Sequence, residues 1–532
     1  MQVTDASLVG GQSYNWTKDK VYLLNGPVFL EEGGVLNIEA GTVIKGAASE
    51  DTLAAALVIT RGAFIIAQGT AEEPIIFTAE DDDINDPEDL NETNTGLWGG
   101  LVILGKGIVN IEGDSEPTIE GTSLPDGDTR GDYGGTDNAD SSGVLRYVSI
   151  RHSGNELAPG DELNGLSLGA VGSRTVLEYI DVYAGSDDGI EFFGGAAELK
   201  YATVSFCEDD SFDWDYGWKG KGQFWFVIQG GNAADNGGEF DGADDDDNDV
   251  FSDPTIYNMT FIGSGFPQSD LASPLAFLMR DNTAGVFNNG VFTDFALGLE
   301  IEDLAGEGDA AARVLAGELV VENHTFARMR NNATDNLAGI VRFTTNDAGV
   351  EIGNQKAAIL SYLSNPAIGH EYLTGNAISN IDRVSGLDPR ATAAVSPQVS
   401  PLPQNDAFFS PANYRGAFEP TNNEVWIQRW TALADNEYVS SLRDEAVAFD
   451  AVTLYPNPTE GSVEIAFSVK QAGGVDISIV DLQGRLVQQV MNDARRAGDN
   501  MVQADVSGLS AGVYVVKIVS NNSLATRKLV IK

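Results

Sequence analysis

The hexad Leu145-Arg146-Tyr147-Val148-Ser149-Ile150 returns as Leu177-Glu178-Tyr179-Ile180-Asp181-Val182 and again as Leu199-Lys200-Tyr201-Ala202-Thr203-Val204. A looser copy is Ile256-Tyr257-Asn258-Met259-Thr260-Phe261. Tyr179 and Tyr201 lie 22 residues apart, and the same offset lays Asp187-Asp188-Gly189-Ile190-Glu191-Phe192 over Asp209-Asp210-Ser211-Phe212-Asp213-Trp214. One short strand of this kind cannot bury its apolar face alone, whereas copies stacked coil on coil can. A period near 22 with Gly or Asp at the corners predicts an all-β chain built as a right-handed parallel β-helix. Leu145, Leu177 and Leu199 should then form one inward stack.

Working outward, residues 34–44, 56–59, 63–67, 74–77 and 98–104 are short apolar or alternating runs that fit the same coil scheme. Sixty glycines supply the tight corners. Residues 1–300 are therefore assigned to the solenoid. Between 301 and 445 the rhythm fades. Residues 310–319 and 355–363 look locally helical, and Pro397, Pro401, Pro403 and Pro411 mark an extended connection. This stretch is read as a cap or wrap with some helix, closing on the aromatic run 410–418 with Trp426 and Trp430.

The last 80 or so residues change character. Leu454-Tyr455-Pro456-Asn457-Pro458 precedes short strands at 463–467 and 475–480, a turn at Asp481-Leu482-Gln483-Gly484-Arg485, and the run 509–518. The chain ends Arg527-Lys528-Leu529-Val530-Ile531-Lys532. Alternating strands separated by Gly, Asn and Asp turns predict a small Ig-like antiparallel β-sandwich over 450–532. This ordered set closely resembles the type A-like C-terminal sorting domain of type IX secretion substrates from Bacteroidetes. The resemblance implies engagement of the type IX secretion machinery and a final location at the outer cell surface or outside the cell. The pattern Asn413-Tyr414-Arg415-Gly416-Ala417-Phe418 with the two tryptophans, taken with the coils, resembles a class of secreted β-helix proteins that carry the same tail.

Bulk properties narrow the partners. Eighty acidic residues against 31 basic ones give a net charge of −49. Nucleic acid, which needs basic surface, is excluded. The acidity fits either a solvated surface suited to saline surroundings or a set of divalent-cation sites. No apolar run is long enough to span a membrane. The first residues lack the basic and apolar regions of a signal peptide, so one is expected to precede this segment in a precursor. Cys207 stands alone, and its neighbours predict a buried structural thiol. Stability must then come from core burial, backbone ladders or bound ions.

The strongest constellation is the acidic ladder Asp187, Asp188, Glu191, Asp209, Asp210, Asp213 and Asp215. Equivalent residues on adjacent coils stack about 4.8 Å apart, and carboxylates that close repel unless a cation or a shared proton intervenes. Ca²⁺, which takes six to eight oxygen ligands in irregular geometry, suits such a row. The alternatives are solvated corners without an ion, or a catalytic role. Two further acidic runs are Glu80-Asp81-Asp82-Asp83 with Asp86, and Asp241 with Asp244, Asp245, Asp246, Asp247 and Asp249; the second has calcium-loop ligand density without the spacing of an EF-hand.

The catalytic reading rests on a resemblance. In polygalacturonase-type hydrolases, also β-helices, paired aspartates about one coil apart serve as acid and base in an inverting reaction. Asp187, Asp188, Asp209 and Asp210 are similar in type and spacing, with Lys219 as a faint substitute for that family's cationic clamp. A calcium-dependent polyuronate lyase is the neighbouring option, with Arg151, Lys219, Lys221 or Arg280 as base by residue type. Three scattered histidines lack zinc spacing. Trp218 and Tyr216 are the candidates for an exposed sugar-stacking platform. The missing basic clamps favour a cation-stabilised glycan- or surface-binding or adhesive module over a polysaccharide-active enzyme. A structural surface-layer or filament component is the third reading.

Overall fold

Leu145 pairs with Leu177, and Leu177 with Leu199, in parallel register, as the hexads require. The same column continues through Gly222 and Ile256 to Phe287 and Val321. The fourth hexad thus lies two coils beyond the third, because the strand Lys221–Ile228 intervenes. Its break from the pattern is a packing requirement. A Cβ at Gly222 would stand 2.6 Å from the ring of Trp225, so the leucine position is vacated for that buried indole. The computed structural model describes residues 1–532 except 49–53, 88, 114–115, 123, 126, 156–162, 232, 244–249, 266–273, 305–307, 333, 347–348, 423, 440–448, 460, 470–472, 481–484, 497 and 521–522.

The long strands Gly143–Arg151, Val176–Tyr183 and Glu198–Ser205 each turn a corner in mid-course. Tyr147, Tyr179 and Tyr201 hold φ of 49°, 59° and 61° there, in the left-handed region. Each long strand therefore serves two faces of the coil. A ten-stranded parallel sheet running from Pro27–Leu30 to Val341–Arg342 forms the third. The right-handed parallel β-helix is thus three-sided, with Leu, Ile, Val and Phe from all faces in one continuous core. Outside the early strands of the third face, Val58, Val102 and Phe193 are covered by Val109, Ile119 and Tyr133.

Parallel pairing continues past residue 300 through Leu319–Glu322, Thr325–Ala327 and Glu371–Leu373. Helices occupy Ala310–Ala316 and Lys356–Leu363, within the two stretches whose local pattern predicts helix. The proline-bearing segment then runs back along the tyrosine corner. Ser400 bonds to Asn289, Ser410 to Gln223, Ala417 to Thr260 and Ala432 to Asp181. Arg415 is the anchor of this wrap. Its fully buried guanidinium donates to the carbonyls of Gln398 and Gly369 and to Thr325 Oγ1. Gly416 follows at φ 90°, where a Cβ would meet Thr260 Oγ1 at 2.7 Å.

Contact density divides the chain into two units, Met1–Ser441 and Leu442–Lys532. The second is an antiparallel sandwich of a three-stranded and a four-stranded sheet. Val463, Ile465 and Phe467 from one sheet and Ile477, Val516 and Ile518 from the other make its core. Cys207 is buried in the first unit, and burial pushes its thiol up to about 12.

Candidate functional site: a carboxylate corner and an aromatic cleft

Asp188 and Asp210 occupy one column at the entry to the third face, flanked by Asn164 on the preceding coil and Asn236 on the following one. Asp188 Oδ1 accepts the N–H of Asp210 at 2.9 Å, and Asp210 accepts the N–H of Asn236. Asn236 Oδ1 accepts the N–H of Leu275 at 3.0 Å. Each side chain caps the backbone of the next coil, a task that a neutral amide performs equally well. Two aspartates in an amide column therefore carry charge beyond what the ladder needs.

That charge converges with its neighbours. Ligand oxygens of Asp187, Asp188 and Asp209 lie within 4.8 Å of one another, as do those of Asp188, Glu191 and Asp213, and those of Asp209, Asp210 and Asp235. These clusters can hold a metal ion. Asp188, Glu191 and Asp210 are 5–8% exposed. One oxygen of Asp213 is buried without a hydrogen-bond partner among the described residues. Burial first, and then the neighbouring carboxylates, holds Asp188, Glu191, Asp210, Asp213 and Asp215 well above the ordinary carboxylate range. Burial and Asp209 push Asp235 up to about 6. Arg280 compensates the far end of the array, pairing with Asp241 at 2.8 Å and with Glu239. Among the described residues, no ion pair reaches Asp188, Glu191, Asp209, Asp210, Asp213 or Asp215.

The other sequence-derived candidates fall elsewhere. Lys219 lies beyond the far end of strand Phe212–Asp215, exposed, its ammonium 4.7 Å above the ring of Phe251. It is not brought together with Asp187, Asp188, Asp209 and Asp210. Trp218, expected as an exposed platform, is fully buried instead. It stacks on Phe192 at 4.1 Å and donates its indole N–H to the Ala197 carbonyl, because the chain turns it into the core. Tyr216 is half-buried and packs on Phe193 at 6.2 Å. Asp244, Asp245, Asp246 and Asp247 lie outside the described residues.

Two clefts were not read from the sequence. The tyrosines of the three hexads stack ring on ring at 4.3 and 4.4 Å, nearly parallel, and Phe224 extends the row at 4.9 Å. Trp430 meets Tyr147 and Tyr179 edge-on, and Trp426 meets Tyr201 in the same way. Between this row and the wrap lies a cleft of about 410 Å³. Its signal was the tyrosine shared by the first three hexads, which pattern alone reads as an ordinary strand residue. A second pocket, about 300 Å³, gathers Asp82, Asp83, Asp86 and Asp89 around Arg151 and His152. Arg151 is committed there, donating to Asp435 at 2.6 Å and to Ser149 at 2.9 Å. His152 Nδ1 sits 2.6 Å from the Asn94 carbonyl, and burial lowers its pKa.

Residues 11–362 match the family model described as a pectate-lyase like beta helix domain. Residues 453–532 match the model described as a secretion system C-terminal sorting domain. No curated protein matches the chain.

Proposed function

The chain belongs to the pectate-lyase-like β-helix family and ends in a sorting domain, and from that premise we propose a cation-stabilised, glycan-binding module without catalytic activity. The sorting tail addresses the chain to the type IX secretion machinery and so to the cell surface or the extracellular space. In those surroundings divalent cations and polysaccharides are both at hand. The observation that carries the reading is the triple carboxylate convergence at Asp187, Asp188, Glu191, Asp209, Asp210, Asp213 and Asp235, three clusters whose ligand oxygens lie within 4.8 Å of one another. Oxygen-only ligands in irregular array suit Ca²⁺. The residues meant for catalysis support an enzyme less well. Lys219 stands apart and Arg151 is held by Asp435.

The test is thermal melting of the full chain during Ca²⁺ titration. A ligand at 100 times its Kd stabilises by about 2.7 kcal/mol, so the Tm is expected to climb with Ca²⁺ and fall back with EDTA. Asp209→Ala and Asp188→Asn should each blunt the rise. A melting temperature indifferent to EDTA sinks the cation reading.

A further inference from the structure

We propose that the cleft between the tyrosine row and the wrap binds a neutral saccharide of about one or two rings. This rests on the glycan-binding reading and gives it a place and a ligand class. At about 410 Å³ the cleft falls within the range of small-ligand sites, about 300–1,000 Å³. One wall is Tyr147, Tyr179 and Tyr201, and the other is Trp426 with Asn422 and Glu424.

The lining speaks against an anionic ligand. Tyr179 and Tyr201 are stacked on both faces and Tyr147 on one, so the row borders the cleft mainly with ring edges and hydroxyls. An anionic uronate meets the carboxylates of Glu419 and Glu424, and the lining cation Arg429 is already paired with Glu424 at 2.7 Å. What remains is hydroxyl, amide and carboxylate groups around aromatic edges. Hydroxyl, amide and carboxylate groups are donors and acceptors for the hydroxyls of an uncharged sugar. Trp218 and Tyr216 lack this arrangement.

Isothermal titration calorimetry on the full chain tests the assignment, using cello-, xylo-, manno- and maltotriose as neutral probes and trigalacturonate as the acidic one. Tyr179→Phe removes one hydroxyl and keeps the stacked ring, and Asn422→Ala alters an exposed rim residue. At least one neutral triose is expected to bind, and each variant should weaken it by about three- to tenfold at unchanged Tm. Neutral-sugar binding that survives both variants but disappears in EDTA moves recognition to the acidic corner. That result overturns the cleft while leaving the broader reading standing. Trigalacturonate binding that the variants abolish overturns the neutral class. Binding of no probe overturns both readings.

Discussion

At the scale of single residues, the most telling fact is that Asp188 and Asp210 do the work of asparagines. Both are buried, and each accepts a backbone N–H of the following coil. Their raised pKa values mean that the folded chain binds protons more tightly than the unfolded one, whose carboxyls titrate near about 4. Stability from such groups is fully present below that value and is lost as pH rises through the folded pKa. Asp235 at about 6 and Glu302 at about 7 extend the loss into the neutral range. In EDTA, the Tm should therefore decline between pH 5 and pH 8. Asp188→Asn keeps the ladder bond and removes a buried charge, so it should exceed wild type at pH 8 by about 1–3 kcal/mol and match it near pH 4. With Ca²⁺ the order should reverse, because only the aspartate offers a charged ligand. A variant that loses stability at every pH in EDTA would show that the carboxylate is structural in its own right.

At the scale of elements, the wrap is held to the coils by many hydrogen bonds, and Arg415 makes several of the most buried ones. Its guanidinium forks between two carbonyls and the Thr325 hydroxyl, with Glu371 at 3.5 Å. A lysine supplies one point charge and cannot reproduce that planar fork. Arg415→Lys is expected to cost about 3–5 kcal/mol, the scale of breaking a buried, hydrogen-bonded charge. Limited proteolysis should then cut within 395–441 before it touches the coils, and an unchanged cleavage pattern would refute the anchoring role. The wrap also marks where the sequence stops being readable. Coils are legible because period and apolar pattern repeat, so Leu145, Leu177 and Leu199 pair in the expected register. The acidic corner is legible through the same 22-residue offset up to Asp210. It fails at the next coil, where Asn236 follows after 26 residues and the contribution of Asp235 and Glu239 goes unseen. The tyrosine row fails for another reason. A left-handed residue in mid-strand resets which side faces in, and period-two alternation carries no mark of it. Trp218 was misplaced by the same blindness to side-chain direction.

At the scale of the whole molecule, −49 charges on a chain with one buried cysteine must be tolerated without disulfides. Two physical accounts compete. In the first, the acidity is a diffuse surface property, and any salt relieves it by shortening the Debye length from about 10 Å at 0.1 M to about 3 Å at 1 M. In the second, repulsion is concentrated at the partly desolvated corner from Asp187 to Asp235, where screening by bulk salt is weak and a coordinated ion is strong. The two separate when ionic strength is held fixed. In EDTA, NaCl should raise the Tm gradually and by an amount that Asp188→Asn barely alters, since exposed charges such as Glu80, Asp81 and Asp83 are screened alike in both. Ca²⁺ added at constant ionic strength should raise the Tm further, saturate as a binding isotherm, and lose most of its effect in Asp209→Ala. If Na⁺ at equal ionic strength reproduces the entire Ca²⁺ shift, the corner is only an acidic surface. The solenoid's stability outside the cell would then depend on salt in general and not on a site.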